Sequence, residues 1–271
     1  MSCIHTRLLF ALPFACIASC AMAPDASDES AAPVVQAFDW PVPGQVSVTH
    51  EMFTNGKSDG VVRYTVEIRR RADAAGFTMC LVDPEVPDSS PADMGGVILG
   101  IFGSVPRIDV TPDGRWDPDA TAPLLEEIVE EEIRSAGAGG AAADAIRSRY
   151  ANANWARRYA VKAEMQWGAW AGHWVALDVP VGGSRRFAGS TPFGMELAEV
   201  PAEAVVTNHG PVDDDPGLVR FTRVVTSDPL EVRSEVITDP DTLRPWRAVL
   251  ESSRRGGAVE RSRREEFTFD W

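Results

Sequence analysis

Two alternating runs on either side of an Asn-Gly turn constrain this chain more than any other feature. Val46, Val48 and Met52 alternate with Ser47, Thr49 and Glu51. Asn55-Gly56 follows, and then Val62, Tyr64, Val66 and Ile68 alternate with Arg63, Thr65, Glu67 and Arg69. A period of two sends successive side chains to opposite faces of a strand, and Asn-Gly supplies the positive φ that tight hairpins need. The pattern predicts a β-hairpin with one wet face and one dry face.

The pattern continues downstream. A turn at 73–76 leads to a third strand at 77–82, which Pro84 ends. The Gly-rich apolar run 94–104 reads either as a short helix or as a loop under the sheet. Ile108 and Val110 mark a fourth strand, closed by Pro112-Asp113-Gly114. The period then changes. Leu124, Leu125, Ile128, Val129 and Ile133 form a stripe at helical spacing, and Gly137-Ala138-Gly139-Gly140 breaks it. A second helical stretch covers 141–150. A third starts after Asn154 and carries Trp155, Tyr159 and Trp167. Strands return at 173–179, 218–226, 231–238, 243–252 and 258–269, with turn chemistry at Asp239-Pro240-Asp241 and Gly256-Gly257. The expected class is α+β: a mostly antiparallel, curved meander of about eight to ten strands, with two to three helices packed on one face. No internal repeat and no linker follow residue 40, so 38–271 reads as a single domain.

What precedes that domain is not fold. Arg7 and the chain's amino group make a short positive segment, and residues 8–17 are apolar. That run is too short for a hydrocarbon core, which needs about 20 apolar residues, and Pro13 interrupts it. A signal peptide fits better than a transmembrane anchor. Ile17-Ala18-Ser19-Cys20 resembles the lipobox of bacterial lipoproteins, with Ile for Leu and Ser for Gly. The resemblance implies a cleaved segment 1–19, lipid attachment at Cys20, and a place in the bacterial envelope. Ala21 after the Cys points to the outer membrane. The competing A-x-A site at Ala21-Met22-Ala23 precedes Pro24 and implies simple secretion instead. Residues 20–37 are small, acidic and Pro-bearing, and read as a disordered tether of roughly fifteen residues, reaching about 50 Å.

Removing 19 of 271 residues leaves 252, ample for one sizeable core. The formal charge is −14, and losing Arg7 makes the remainder −15. An acidic surface repels phosphate backbones, which argues against nucleic-acid partners. Lys57 and Lys162 are the only lysines among 26 basic residues. Cys3 and Cys16 leave with the signal and Cys20 is acylated, so Cys80 stands alone and reads as a small buried hydrophobe.

Catalytic signatures are sparse. The zinc-protease, dithiol, P-loop and dinucleotide patterns do not occur. His50, His173 and His209 have no His or Cys at ligand spacing. His50 falls on the apolar side of its strand, and His209 precedes a Gly-Pro turn. The Asp213-Asp214-Asp215 run, and Asp113, Asp117 and Asp119 around Trp116, read as solvated acidic turns; calcium binding is the alternative. Neither a cofactor nor a metal is expected.

The aromatic residues say more. Trp167, Trp170 and Trp174 have i, i+3, i+7 spacing. The plain reading is that they fill a sheet–helix interface. The functional reading is an apolar cavity for a lipid or acyl chain, lined by Tyr64, Val66, Trp155, Trp167, Trp170 and Trp246.

Residues 238–245, Thr-Asp-Pro-Asp-Thr-Leu-Arg-Pro, join two late strands. They are similar to the D-P-x-T-x-x-P turn of outer-membrane lipoprotein carriers and related lipoproteins. The resemblance covers about ten residues closely and otherwise only the strand–helix–strand order. It implies a half-barrel with an apolar interior that holds lipid or lipidated peptide. The helical insert at 121–169 departs from the compact carriers, and those carriers are soluble. The expected function is therefore a non-enzymatic, membrane-anchored envelope lipoprotein that holds an apolar ligand. A scaffold protein with a solid core is the alternative, and a carboxylate-based hydrolase the third reading.

Overall fold

A computed structural model describes residues 38–71, 76–87, 107–117, 137–151, 153–193, 198–228, 230–254 and 261–271, together with 126, 127, 129, 130, 133 and 134. Its strands are β1 (Gly44–Thr54), β2 (Lys57–Arg70), β3 (Phe77–Glu85), β4 (Arg107–Val110), β5 (Ser184–Phe193), β6 (Ala198–Val212), β7 (Asp215–Ser227), β8 (Leu230–Thr238), β9 (Pro245–Arg254) and β10 (Arg261–Asp270). Two helices, α1 (Ala141–Tyr150) and α2 (Ala153–Trp167), lie between β4 and β5. A π-helical turn, Gly168–Gly172, continues α2.

The ten strands form one open sheet in the order β4-β3-β2-β1-β10-β9-β8-β7-β6-β5. All neighbours are antiparallel, as short turns between consecutive strands require. The sheet is thus two meanders, β1–β4 and β5–β10, joined where β1 pairs with β10. The predicted hairpin is β1–β2, with Asn55 and Gly56 both at positive φ in its turn. The α+β class and the antiparallel meander are as expected.

Register explains which side is dry. Val48 lies opposite both Tyr64 and Phe269. One position along, a single row runs His50, Phe267, Ala248, Val236, Phe221 and Asn208 across six strands. All of these are buried. Their neighbours along each strand, among them Glu51, Glu266, Arg247 and Glu235, face the other way. We call the two sides the covered and the open face.

α2 and its π turn supply the cover. Tyr159, Ala163 and Trp167 recur every four residues and are buried. The π turn keeps Trp170 and Trp174 on the same side, each without exposed surface. Trp167 meets Trp40 edge-on at 5.1 Å and Trp170 meets Phe269 edge-on at 5.3 Å. Trp174 stacks on Phe221 at 5.9 Å. Two glycines permit this close fit. A Cβ on Gly168 would stand 2.3 Å from the His173 ring, and one on Gly172 would stand 2.7 Å from the Trp167 ring.

The structure differs from the sequence reading in several places. Residues 173–179 form no strand, because the π turn carries the helical backbone on: the His173 N–H donates to the Gly168 carbonyl at 3.1 Å. β5 and β6 were not foreseen. His209 lies inside β6, beside a bulge between Asn208 and Gly210, rather than ahead of a turn. α1 buries Ala143 and Ile146 against Ile133 in a small cluster of its own. The segment whose packing on the sheet is described is therefore α2 with its π turn. Of the predicted 124–133 stripe, Val129 and Ile133 are helical, while Leu124, Leu125 and Ile128 lie outside the described residues. So do residues 94–104 and Asp119.

The turn between β8 and β9 is built as its sequence suggests. The Asp239 carboxylate accepts hydrogen bonds from the N–H groups of Asp241 (2.8 Å) and Thr242 (3.1 Å). The same turn clips the start of the domain: the Asp39 N–H donates to Thr242 O at 3.1 Å and the Trp40 indole N–H to Leu243 O at 3.0 Å.

Candidate functional site

The covered face is not uniformly apolar. Reading β10 in steps of two gives Phe269, Phe267, Glu265 and Arg263 on the same side. The dry end is sealed, with Phe267 1% exposed. The Glu265 side chain keeps 18% of its surface and that of Arg263 33%. The face thus runs from a closed aromatic end to a charged end that reaches solvent.

Two cations and a histidine ring surround Glu265. Arg263 Nε lies 3.0 Å from one carboxylate oxygen. His50 Nε2 lies 3.2 Å from the other, close enough for an ion pair but off the line of a hydrogen bond. Lys162 of α2 adds its charge from the helical side. Burial alone would raise the Glu265 pKa; the His50 ring, Arg263 and Lys162 outweigh it and hold the value at about 2. The carboxylate is therefore ionised at neutral pH, and it is not a general acid. Burial, and next the charge on Glu265, push the Tyr64 hydroxyl well above its usual pKa.

A polar row continues across the sheet. Glu265 is opposite Leu250, Leu250 opposite Ser234, and Ser234 opposite Arg223. Ser234 and Arg223 are both buried. Burial, and then the charge on Arg223, hold the His173 imidazole well below its usual pKa, so it is neutral at pH 7. Besides His50 Nε2, four buried polar atoms here make no hydrogen bond: His50 Nδ1, Gln166 Nε2, Trp170 Nε1 and His173 Nδ1. Each such orphan costs about 1–3 kcal/mol, so four along one helix–sheet seam is a concentration that needs a cause.

The predicted lining residues separate into three groups. Tyr64, Val66, Trp167 and Trp170 come together in one core cluster beneath α2. Trp246 is 47% exposed, away from them. The Trp155 side chain, like the attachment residue Cys20, lies outside the described residues.

Other candidates resolve into local structure. His209 Nε2 lies 2.8 Å from Thr222 Oγ1 on the open face. Asp213 and Asp214 form the β6–β7 turn, and Asp215 accepts the Gly217 N–H at 3.1 Å. Asp113 pairs with Arg115 at 3.2 Å, and Asp117 with Arg71. Among the described residues no three His, Cys, Asp or Glu side chains gather as a metal site. Cys80 is partly buried, and burial is the main cause of its raised pKa, against the lowering effect of Arg69 and Arg107.

Sequence reasoning passed over one string. Gly56-Lys57-Ser58-Asp59-Gly60 matches the G-x-S-x-G pattern of serine hydrolases. That chemistry needs a strand-to-helix elbow with a histidine in reach. Here the string opens β2 in a hairpin, and the exposed Ser58 hydroxyl donates to Glu51 at 3.3 Å.

The open face carries two shallow grooves. One of about 140 Å³ lies among Arg233, Glu235, Val249, Glu251 and Arg264. The other, about 460 Å³, extends past Ser252 and Ser262 to Phe53 and Gly56 and takes in Arg263, so it reaches round the strand ends and does not lie on the open face alone. Their walls are alternating Arg and Glu, already paired as Arg233–Glu235 (3.3 Å) and Arg264–Glu266 (2.8 Å). Among the described residues no helix is long and apolar enough to cross a membrane. Comparison with protein-family models, with curated proteins and with solved structures gives no match.

Proposed function

We propose that this protein is a non-enzymatic lipoprotein of the bacterial envelope, anchored through Cys20, that holds an apolar ligand between the covered face and α2. The observation that carries the reading is the seam itself. Among the described residues, α2 and its π turn lie on the dry side of the sheet, and the seam collects both the aromatic side chains and the four orphaned polar atoms. A core that served packing alone would pair or omit those atoms. The glycines at 137, 139 and 140 precede α1 with open space around them, so the helical insert has a pliable entry. The sheet curves around this insert, and 38–271 acts as one domain. The short tether keeps the ligand site within about 50 Å of the lipid surface.

Uptake of an environment-sensitive lipophilic dye by the purified full chain tests the ligand half. Saturable enhancement that a long-chain alcohol displaces supports it; no uptake under native conditions rejects it. Metabolic labelling with an acyl-chain analogue tests the anchor. Cys20→Ser abolishes label and membrane partitioning if the lipobox reading holds, and leaves both unchanged if it does not.

A scaffold protein with a solid core is the second reading. It is favoured by the near-complete burial of Trp167, Trp170 and Trp174.

A further inference from the structure

The domain begins on the β8–β9 turn. The Asp39 N–H donates to Thr242 O, and the Arg244 guanidinium donates back to Asp39 O at 3.2 Å and 3.3 Å. Trp246 is two residues further on, within about 7 Å of extended chain. Antiparallel pairing brings several strand termini to this end of the sheet. β9 starts here at Pro245 and β7 at Asp215, while β8 ends at Thr238 and β6 at Val212. Whatever chain precedes residue 38 therefore enters beside these turns.

The exposed large apolar side chains among the described residues are at this end: Val181 at 68% and Trp246 at 47%. Pro245 is opposite Thr238 and Arg247 opposite Ile237, so Trp246 is the extra residue of a bulge, a device that re-aims a side chain. The indole N–H groups of Trp40, Trp167, Trp174 and Trp271 all donate to backbone carbonyls. That of Trp246 has no partner among the described residues. Val181 stands on a braced turn near the end of β6. The Gly182 N–H donates to Asn208 O at 2.8 Å, and the Asn208 side-chain amide to Val179 O at 2.9 Å. A Cβ on Gly210 would come within 2.7 Å of Val181, so glycine there keeps its place open. β9 and β6 are three strands apart, about 14 Å at the usual spacing.

On the reading that Cys20 carries the lipid anchor, we propose that this end of the sheet makes a second contact with the bilayer, with Trp246 and Val181 in the head-group region. Trp favours that region because its ring is apolar and its N–H still needs an acceptor, which lipid ester carbonyls supply. A tether of roughly fifteen residues permits the contact but does not orient the domain; the two apolar side chains do. The lipid class follows from charge. The β6–β7 and β8–β9 turns carry Asp213, Asp214, Asp215, Asp239 and Asp241 against one cation, Arg244. Anionic lipid repels such a surface within a Debye length of about 8 Å, so the contact suits zwitterionic head groups.

Quenching of tryptophan fluorescence by lipid brominated near the head of its acyl chain tests the inference. The acylated chain is moved from its own membranes into phosphatidylethanolamine–phosphatidylcholine vesicles. Bromine quenches only indoles that touch it. Trp246→Phe should remove at least half of the quenching, and Val181→Asp should reduce it about twofold with vesicle binding intact. Replacing about a third of the lipid by phosphatidylglycerol should also reduce it about twofold; no reduction overturns the choice of a zwitterionic surface. No quenching, or equal quenching in Trp246→Phe, from chain that is acylated and vesicle-bound overturns the inference and leaves the anchor standing. Chain that carries no acyl group and stays out of the vesicles removes the anchor reading and the inference together. A dimer in detergent that Trp246→Ser abolishes assigns the surface to a second copy and likewise overturns the inference.

Discussion

Glu265 and Glu266 are neighbours in sequence and face opposite sides of the same sheet. Glu265 points to the covered face, where His50, Arg263 and Lys162 surround it and its pKa sits at about 2. Glu266 points to the open face, where burial would raise its pKa but Arg247 (2.6 Å) and Arg264 (2.8 Å) outweigh it and lower the value, by less than for Glu265. Glu266 has the shorter contacts; Glu265 has the larger shift. Distance alone does not set the strength of an ion pair. Under α2 the charges interact largely through protein, and each is costly to leave unpaired. On the open face water screens both partners, and such pairs contribute little to stability.

The difference between the two faces should be measurable, beginning with the cover. Trp170→Ala removes an indole with no exposed surface that packs on Phe267 and Phe269, and should cost about 3–5 kcal/mol. Urea denaturation checks it; a loss below about 1 kcal/mol would mean the cover is not packed on the sheet. Glu265→Gln should come next, at about 3 kcal/mol, because it takes the carboxylate away from Arg263 and Lys162 at the seam. Glu266→Gln should cost less than about 1 kcal/mol, and added salt should remove most of that. Equal losses for the two variants would erase the distinction between the faces.

Acid titration separates the faces again. An unfolded glutamate titrates near 4.3 and folded Glu265 near 2, so the unfolded chain binds the proton first. Its contribution is complete above about pH 5 and is lost as the pH falls through 4 towards 2. Glu265→Gln should flatten that part of the stability profile. His173 acts in the same direction at higher pH. Its folded pKa lies well below the ordinary value of about 6.5, so stability falls as the pH drops below that value. His173→Gln should remove this earlier loss, as followed by thermal melting between pH 7 and 5. The smallest effect belongs to Trp246→Ser. That side chain is half exposed and outside the seam, and its loss should shift stability by no more than about 0.5 kcal/mol.

Much of the sheet could be read from alternation. The β1–β2 hairpin shows it because Val46, Val48, Val62 and Val66 differ sharply in polarity from their neighbours. β5 and β6 do not: Pro192, Pro201, Gly189 and several small residues blur the period, and β5 lies at the sheet edge, where proline is tolerated. The strand expected at 173–179 fails for another reason. A π turn adds one residue to a helix, and nothing in local composition marks it except the glycines at 168 and 172. Part of the site was legible and was passed over. Parity counted back from Phe269 and Phe267 places Glu265 and Arg263 on the covered face, and Arg223 lies between Phe221 and Val225. A charged residue at a core-facing position was the available signal. That the charge of Lys162 acts on the same carboxylate from α2 depends on tertiary packing, which no spacing within α2 encodes.

The covered face as a ligand seat is the central claim. Native mass spectrometry of the full chain, released from its own membranes and stripped of detergent, tests it most directly. The account predicts a fraction of molecules carrying the added mass of one acyl-chain compound, and loss of that fraction in Trp170→Ala molecules that remain folded. Only unliganded chain in both preparations, with no acyl compound extracted from either, would contradict it.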